Sequence, residues 1–516
     1  MLGTLSIPKS KTVPDLVDQV DLYRVEAFGK AEDDRRSALG QFPTPPSVAR
    51  FMASLFKSFP PATRLLDAGA GIGSLATAAV TEILDRTKHT TSLSITAYEI
   101  DKHIGKYLEH TLQLCVNRCT AAGIRCYADI HHEDFIADAV KQLGNGLFSS
   151  SKASYTHAIL NPPYKKINSD SEHRFLMREV GVETSNLYTA FLALSIKLLA
   201  SGGELVAITP RSFCNGPYFR PFRELFLREM AVQRVHVFES RSRAFAEDEV
   251  LQENVIFHAI KSPKRPGKVL ISSSLGPDET ATIREVPMDE FVRPDDPDRF
   301  IHIVVDEFNR RVAAKIRKFT HSLTDIGLSV STGRVVDFRA TSFLRKDSIS
   351  NTVPLIYPCH FADGWISWPK LGGKKPNAIM ATPESADLLV PAGVHVLVKR
   401  FSAKEEKRRI VAAVYDPARV PATHVGFENH LNYFHENGAE LQLPLAVGLA
   451  AFLNSSLVDV FFRQFNGHTQ VNATDLRSLK YPSREKLMEL GRIIGGTFPS
   501  QVELDQLIER RMLGNG

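Results

Sequence analysis

Residues 64–73 read Arg64-Leu65-Leu66-Asp67-Ala68-Gly69-Ala70-Gly71-Ile72-Gly73. The apolar run from Arg64 to Ala70 has the character of a buried strand. The glycines after it allow a sharp turn and a close approach of a ligand to the backbone. A helical pattern starts at Ser74. Strand, glycine loop and helix in this order open a nucleotide-binding α/β sheet. The G-x-G-x-G spacing alone is a weak signal, and the segments downstream strengthen it. Leu93 to Tyr98 is a second apolar run and ends in Glu99-Ile100-Asp101, where an acidic residue meets ribose hydroxyls in such sheets. Ile124 to Ile130 is a third, leading into Glu133-Asp134-Phe135. A fourth, Tyr155 to Leu160, runs into Asn161-Pro162-Pro163-Tyr164.

Each of the first three strand ends suits one part of an adenosine. Asp67 with Gly69, Gly71 and Gly73 suits an attached amino acid, Glu99 the ribose, Asp134 the adenine amino group and Phe135 the adenine face. No phosphate-binding lysine follows the glycines, so this is not a P-loop. The fourth strand end points to the chemistry. Two consecutive prolines stiffen the backbone and hold an amide, a carbonyl and an aromatic ring at the sheet edge. An exocyclic amine on a purine is a poor nucleophile, because its lone pair is delocalised into the ring. The Asn161 side-chain oxygen and the Pro162 carbonyl can each accept one of its hydrogens as positive charge develops. Tyr164 can stack on the base. That acceptor set calls for a methyl donor, and S-adenosylmethionine fits the preceding strands better than a dinucleotide.

With these motifs in order, the chain resembles the gamma class of DNA adenine-N6 methyltransferases, the modification enzymes of type II restriction systems. Gly40-Gln41-Phe42-Pro43-Thr44-Pro45-Pro46 is similar to the segment that, in that class, closes over the methionine end of the cofactor, which implicates Thr44. Phe245 and Val250-Leu251-Gln252-Glu253-Asn254-Val255 resemble the segment supplying a second aromatic contact to an extruded base. Leu453 to Ser456 and Phe465 to Asn472 are similar to the recognition half of PstI- and BsuBI-type modification methylases. The likeness spans residues 38–482. It implies double-stranded DNA as partner, a monomer, a palindromic hexamer such as CTGCAG as target, and a cognate endonuclease that shares the site without a stable complex.

Composition is compatible with this. The 516 residues suffice for two or three domains, and 43% apolar with 23% charged residues is ordinary for a soluble globular protein. A net charge of +5 is compatible with nucleic acid without being diagnostic. No apolar run reaches the roughly 18 residues of a membrane span, and no signal sequence opens the chain. Five cysteines without paired spacing read as reduced, packed thiols, which places the chain in the cytoplasm; no metal site is expected.

The expected fold is a Rossmann-like S-adenosylmethionine-dependent methyltransferase α/β sheet followed by a mixed α+β target-recognition domain. The reading assigns residues 1–37 to an arm or short helix, 38–262 to the catalytic domain and 263–516 to target recognition. The boundary is drawn at Ser262-Pro263-Lys264-Arg265-Pro266-Gly267. Within the catalytic part, Lys165 to Ser185 reads as a long polar loop, and a helix from Leu187 to Ala200 is ended by Gly202-Gly203 before a strand at Glu204 to Thr209. Strands near Val232 to Phe238 and Asn254 to Ile260 form a closing hairpin.

In the second half, Lys399 to Arg409, containing Lys399 and Arg400, reads either as a phosphate contact or as a solvated helix face. Arg334, Asp337 and Arg339 either reach base edges or form surface ion pairs. Asn466 and His468 lie on a polar loop that approaches DNA or merely turns. Glutamine-modifying and RNA methyltransferases share the Asn-Pro-Pro-Tyr logic and stand as the alternative function. A nuclease is disfavoured by the lack of an acidic pair followed by Glu-x-Lys.

Overall fold

Leu65, Leu66, Asp67 and Ala68 are almost wholly buried in an interior strand of a nine-stranded sheet. The computed structural model describes residues 15–27, 43–86, 89–144, 155–238, 254–402, 406–466 and 470–514. The chain forms two compact units, Met1–Asp295 and Asp296–Gly516. The strands of the first are β1 (Ala62–Ala68), β2 (Ser92–Tyr98), β3 (Arg125–His131), β4 (Tyr155–Leu160), β5 (Leu199–Pro210), β6 (Met230–Phe238), β7 (Asn254–Lys261), β8 (Lys268–Ser274) and β9 (Thr282–Pro287). Their order is β3-β2-β1-β4-β5-β7-β6-β8-β9. The first five pair in parallel, and β7 is antiparallel to both β5 and β6.

Described helices of this unit are α1 (Leu16–Ala27), α2 (Pro46–Ser54), α3 (Ser74–Arg86), α4 (Lys102–Ala121), α5 (Phe135–Leu143), α6 (Glu172–Glu179), α7 (Leu187–Leu198) and α8 (Arg220–Glu229), with one further turn at Met288–Phe291. The inner strands β1, β4 and β5 carry continuous buried runs, as strands of a parallel sheet covered on both faces do, whereas β3 at the edge is largely exposed. The chain leaves β1 toward β2 and β3 on one side and returns to β4 on the other. A crevice opens at such a switch, outside the carboxyl ends of β1 and β4. Those ends carry Gly69–Gly73 and Asn161–Tyr164, so the topology itself brings the two most informative segments together.

Three expectations need correction. The sheet does not stop at the Ser262–Gly267 stretch: β8 pairs in parallel with β6, β9 completes an edge hairpin, and the two units divide at Asp295 and Asp296. Prolines and Gly267 there make a turn within the sheet, tied by the Met288 amide to the Gly267 carbonyl at 3.0 Å. The Lys165–Ser185 loop contains α6. The helix before β5 ends at Leu198, and Gly202-Gly203 instead sit in the irregular start of β5, where pairing jumps from Tyr155–Leu199 to His157–Glu204. In the N-terminal segment, α1 buries Val20 and Ala27 with Ile72 of the glycine loop and Ile104.

The second unit is mixed α+β, as expected. Its strands are β10 (Ser329–Thr332), β11 (Leu344–Arg345), β12 (Thr352–Ile356), β13 (Phe361–Ala362), β14 (Trp365–Ile366), β15 (Ala378–Met380), β16 (Leu389–Pro391), β17 (His395–Lys399), β18 (Ala412–Tyr415), β19 (His424–Phe427) and β20 (Leu431–His435). They form a six-stranded sheet, β10-β20-β17-β18-β14-β13, and a five-stranded one, β11-β15-β12-β19-β16. Helices α9 (Glu307–Ile316), α10 (Leu443–Leu453), α11 (Ser456–Phe465) and α12 (Arg484–Ile494) pack on the larger sheet's apolar face. All five cysteines are free and four are buried. No single helix among the described residues is long and apolar enough to cross a membrane.

Candidate functional site

The crevice beside β1 and β4 holds a cavity of about 260 Å³. Gly69, Gly71, Glu99, Asp134, Phe135, Asn161 and Pro163 all line it. These residues come from four different strand ends, which is why parallel-sheet topology is needed to assemble them. Gly69, Gly71 and Gly73 all have positive φ, at 76°, 56° and 89°, a region that side chains with a Cβ avoid. A Cβ on Gly69 would touch the Phe191 ring at 3.5 Å and Pro163 at 3.7 Å, so the loop lies against the Asn-Pro-Pro-Tyr corner.

The loop amides do not point into the cavity as a phosphate cradle does. Those of Gly69 and Ala70 go to the Tyr98 carbonyl at 3.0 and 2.8 Å, and that of Gly73 goes to the Ala70 carbonyl at 2.8 Å. The Gly71 amide goes to Glu99 Oε2 at 3.0 Å. These loop amides are therefore already engaged, and the carboxylates of Glu99, Glu133 and Asp134 on the cavity wall suit a ligand with hydroxyl and amino hydrogens. Glu99 is held at both oxygens, Oε1 accepting the Asp101 amide at 2.8 Å. Burial raises its pKa against those amide bonds and a nearby His132. A carboxylate oxygen has two lone pairs, so an oxygen that accepts one amide can also accept a hydroxyl.

Asp134 caps α5, its Oδ1 accepting the Ala137 amide at 3.0 Å. Its Oδ2 accepts from His173 Nε2 at 2.8 Å, a contact from α6 that sequence reasoning missed. Burial opposes the Asp134 charge, but His173 and the cap amide outweigh it and its pKa falls; the same bond raises that of His173. Phe135 is buried between Tyr98 and Phe191, each with ring centroids 5.0 Å away. Lys165, His173, Leu187 and Phe191 also line the cavity. All four follow the Asn-Pro-Pro-Tyr corner, on α6, α7 or their flanks, and a lone His or Phe on a helix carries no spacing signal.

At the corner, Asn161 Nδ2 donates to Thr44 Oγ1 at 3.0 Å and its Oδ1 accepts from the Tyr164 hydroxyl at 3.0 Å. The Tyr164 hydroxyl also lies 3.4 Å from the Ile208 carbonyl. The amide plane is thereby fixed from two sides. Thr44 is buried behind Asn161 and is not among the cavity-lining residues, although Pro43 is. Pro162 is buried, and Asn161, Pro163 and Tyr164 are half-buried.

Asp67 lies beneath the glycine loop instead of in the cavity. Its Oδ2 accepts the Ala76 amide at 3.1 Å and so ties β1 to the start of α3, while its buried Oδ1 has no hydrogen-bond partner among the described residues. Burial pushes its carboxyl up to about 7. Gly73 serves packing, since a Cβ there would lie 3.0 Å from both Leu108 and Thr111 of α4.

In the second unit the candidates separate. Asn466 is buried, accepts from Arg409 Nη2 at 2.7 Å and donates to the Gln470 carbonyl at 3.0 Å, so it braces a loop and is withdrawn as a DNA contact. Arg409 is buried too, and Lys399–Arg409 is not a helix in its described part: it leaves the end of β17. Lys399 Nζ sits 5.6 Å from the Phe361 ring centre, and Arg400 donates to the Asn429 carbonyl at 3.2 Å. Arg334 and Arg339 are exposed, Arg334 reaching the Leu389 carbonyl at 3.3 Å and Arg339 lying 5.5 Å over Phe338. Phe245 and His468 lie outside the described residues.

The chain is similar to known restriction-modification methyltransferases. Residues 85–245 match the Eco57I restriction-modification methylase family. The chain is 47% identical over 495 residues to the type II methyltransferase M.PstI of Providencia stuartii, covering 96% of each chain. It is 45% identical over 488 residues to the type II methyltransferase M.BsuBI of Bacillus subtilis, covering 93% of this chain and 95% of that one. Among solved structures, the type IIL restriction-modification enzyme MmeI in complex with DNA shares the fold at a TM-score of 0.55 and 11% identity, over 97% of this chain and 76% of that one. A cavity of carboxylates and aromatics at the β1–β4 switch, in a chain this similar along its whole length to two such enzymes, identifies it as a member of the type II restriction-modification DNA methyltransferases, with S-adenosylmethionine as methyl donor.

Proposed function

We propose that the protein methylates the N6 amino group of an adenine rotated out of duplex DNA at a specific site. The observation that carries this reading is the Asn161–Tyr164 corner, whose Asn161 and Pro163 line the same cavity as Glu99 and Asp134. When bound, S-adenosylmethionine supplies a methyl group on positively charged sulfur. Glu99 receives the ribose hydroxyls, Asp134 the amino group of the cofactor's adenine, and Phe135 its face. Asn161 Oδ1, which accepts from the Tyr164 hydroxyl, is the acceptor for one hydrogen of the target amine, an amide oxygen having two lone pairs. The Pro162 carbonyl takes the second amine hydrogen. The nitrogen then presents its lone pair outward, and its extra proton leaves to solvent once the new carbon–nitrogen bond makes it acidic.

A duplex keeps that amine in the major groove, away from a buried crevice. Extruding the nucleotide costs a few kcal/mol, roughly recovered by stacking on Tyr164 and by the two amine bonds. Thr44 acts here as a brace for Asn161. The enzyme works as a monomer in the cytoplasm, and its endonuclease partner shares only the DNA site. The test is transfer of tritiated methyl to duplex DNA carrying CTGCAG, to RNA and to protein. Transfer to duplex adenine is expected, with a loss of about a hundredfold or more in Asn161→Ala, as for removal of one charge-stabilising donor or acceptor from an active site. Transfer to cytosine, RNA or glutamine would replace the proposal.

A further inference from the structure

Within the second unit, Leu371 and Phe338 are the most exposed large apolar side chains among the described residues, at 81% and 75%. Neither sits on a random bulge. Leu371 tops a loop, residues 368–377, whose neck is closed by the buried Asn377. Its Oδ1 accepts the Lys370 amide at 2.9 Å, and its Nδ2 donates to the Lys370 carbonyl at 3.2 Å. Its own carbonyl accepts Trp368 Nε1 at 2.6 Å. His360 Nε2 adds a fourth bond at 3.1 Å. Gly372, with φ of 70°, makes the turn directly after Leu371. Phe338 projects from the turn after Gly333. The two turns are joined: Lys375 Nζ pairs with Asp337 at 2.6 Å, and Tyr357 donates to the same carboxylate at 2.8 Å.

The segments that carry the two apolar tips are rich in cations, with Arg339 lying 5.5 Å from the Phe338 ring centre. Residues 334–347 and 370–375 hold seven basic side chains, Arg334, Arg339, Arg345, Lys346, Lys370, Lys374 and Lys375, against Asp337 and Asp347. Lys375 neutralises Asp337, so the rest of the face remains positive. The Lys374 and Lys346 ammonium groups make no hydrogen bond or ion pair among the described residues, and the Lys346 carbonyl accepts the Asn377 amide at 3.0 Å. Water alone would not favour holding a leucine in the open on a loop stapled by a buried amide, beside a turn that exposes a phenylalanine. A polyanion with apolar bases between its charges matches both features.

We propose that this face is a duplex-DNA contact surface in which Lys374, Lys346 and Arg339 grip phosphates while Leu371 and Phe338 press on bases. It rests on duplex DNA being the substrate, and it adds the 368–377 loop, which has no motif of its own. Lys375 and Asn377 are positioning residues that hold the two turns in register.

The test is binding of the full-length enzyme, with S-adenosylhomocysteine present, to a fluorescent cognate duplex and to a scrambled one over a salt series. For Lys374→Ala with Lys346→Ala, both duplexes should weaken alike, and the slope of log affinity against log salt should fall by about 1.8, at ~0.9 per phosphate. For Leu371→Ala with Phe338→Ala, the salt slope should stay while the preference for the cognate duplex drops about tenfold, as for a lost base contact. Wild-type binding matched by both double variants in slope and preference overturns the surface alone. Wild type that binds no duplex at all overturns the proposed function and this surface together.

Discussion

Asp134 serves two elements with one carboxylate, starting α5 through Oδ1 and holding His173 of α6 through Oδ2. Both groups are about a third exposed, so solvent screens the pair and its worth is on the order of 1 kcal/mol, roughly fivefold in affinity. The pH window follows from the two shifts. His173 is raised, so its share is fully present below the ordinary imidazole pKa and is lost as pH rises through the raised value. Asp134 is lowered, so its share is present above the ordinary carboxylate pKa and is lost as pH falls through the lowered value. If the pair orients Asp134 toward the cofactor's adenine, S-adenosylhomocysteine should bind up to fivefold more weakly at pH 9 than at pH 6.5. His173→Ala should show the weaker binding at both values. Calorimetric titration measures this, and a wild-type affinity unchanged across that range would remove His173 from the site. The contrast with Glu99 shows what a sequence can carry at this scale. Glu99, Asp134 and Phe135 stand at strand ends, where position in the chain implies position in space. His173 and Phe191 reach the cavity only because α6 and α7 fold back over it, and Asp67 stands at a strand end yet turns inward beneath the loop.

Elements obey the same logic. β4, Tyr155–Leu160, was legible residue for residue because a six-residue apolar run met two prolines. By contrast, α6 has a single buried residue, Met177, and so left no periodic stripe to find. The two-residue strands β11, β13 and β14 exist through their hydrogen-bonded partners and have no pattern of their own. The crossing of α10 and α12 is equally silent in the sequence, although it is the tightest helix contact of the second unit's core. A Cβ on Gly448 would fall 1.8 Å from the Leu487 carbonyl oxygen, and one on Gly491 would fall 1.7 Å from that of Pro444. Backbone meets backbone there, so nothing flexible can yield. Gly448→Ala gains about 1 kcal/mol of helix propensity. Forcing two packed helices apart costs more, on the order of 3 kcal/mol, so the sign is set by packing. Urea unfolding should show a lower midpoint for Gly448→Ala. A midpoint equal to or above that of wild type would mean that the helices do not cross at these glycines.

At the scale of the molecule, the sequence located two halves but misplaced their junction by one hairpin. Proline and glycine mark any turn, and only the pairing of β8 with β6 reveals that residues 268–287 still belong to the first sheet. Each unit has a hydrophobic core of its own, one around Leu65, Ile83, Ile95 and Val206, the other around Phe434, Leu449, Phe462 and Leu487. Chains with separate cores tend to unfold in separate steps. The cofactor cavity is built wholly from residues before Asp295, and a ligand stabilises only the unit whose folded form binds it. Scanning calorimetry of the full chain should therefore resolve two transitions. S-adenosylhomocysteine at a hundred times its dissociation constant should add ~2.7 kcal/mol to one of them, several degrees in midpoint, and leave the other in place. Asp67→Ala, by cutting the link from β1 to α3, should lower the midpoint of the ligand-sensitive transition alone. A single transition that moves as a whole with the ligand would show that the two cores melt as one, and the boundary at Asp295 would then mark geometry without independence.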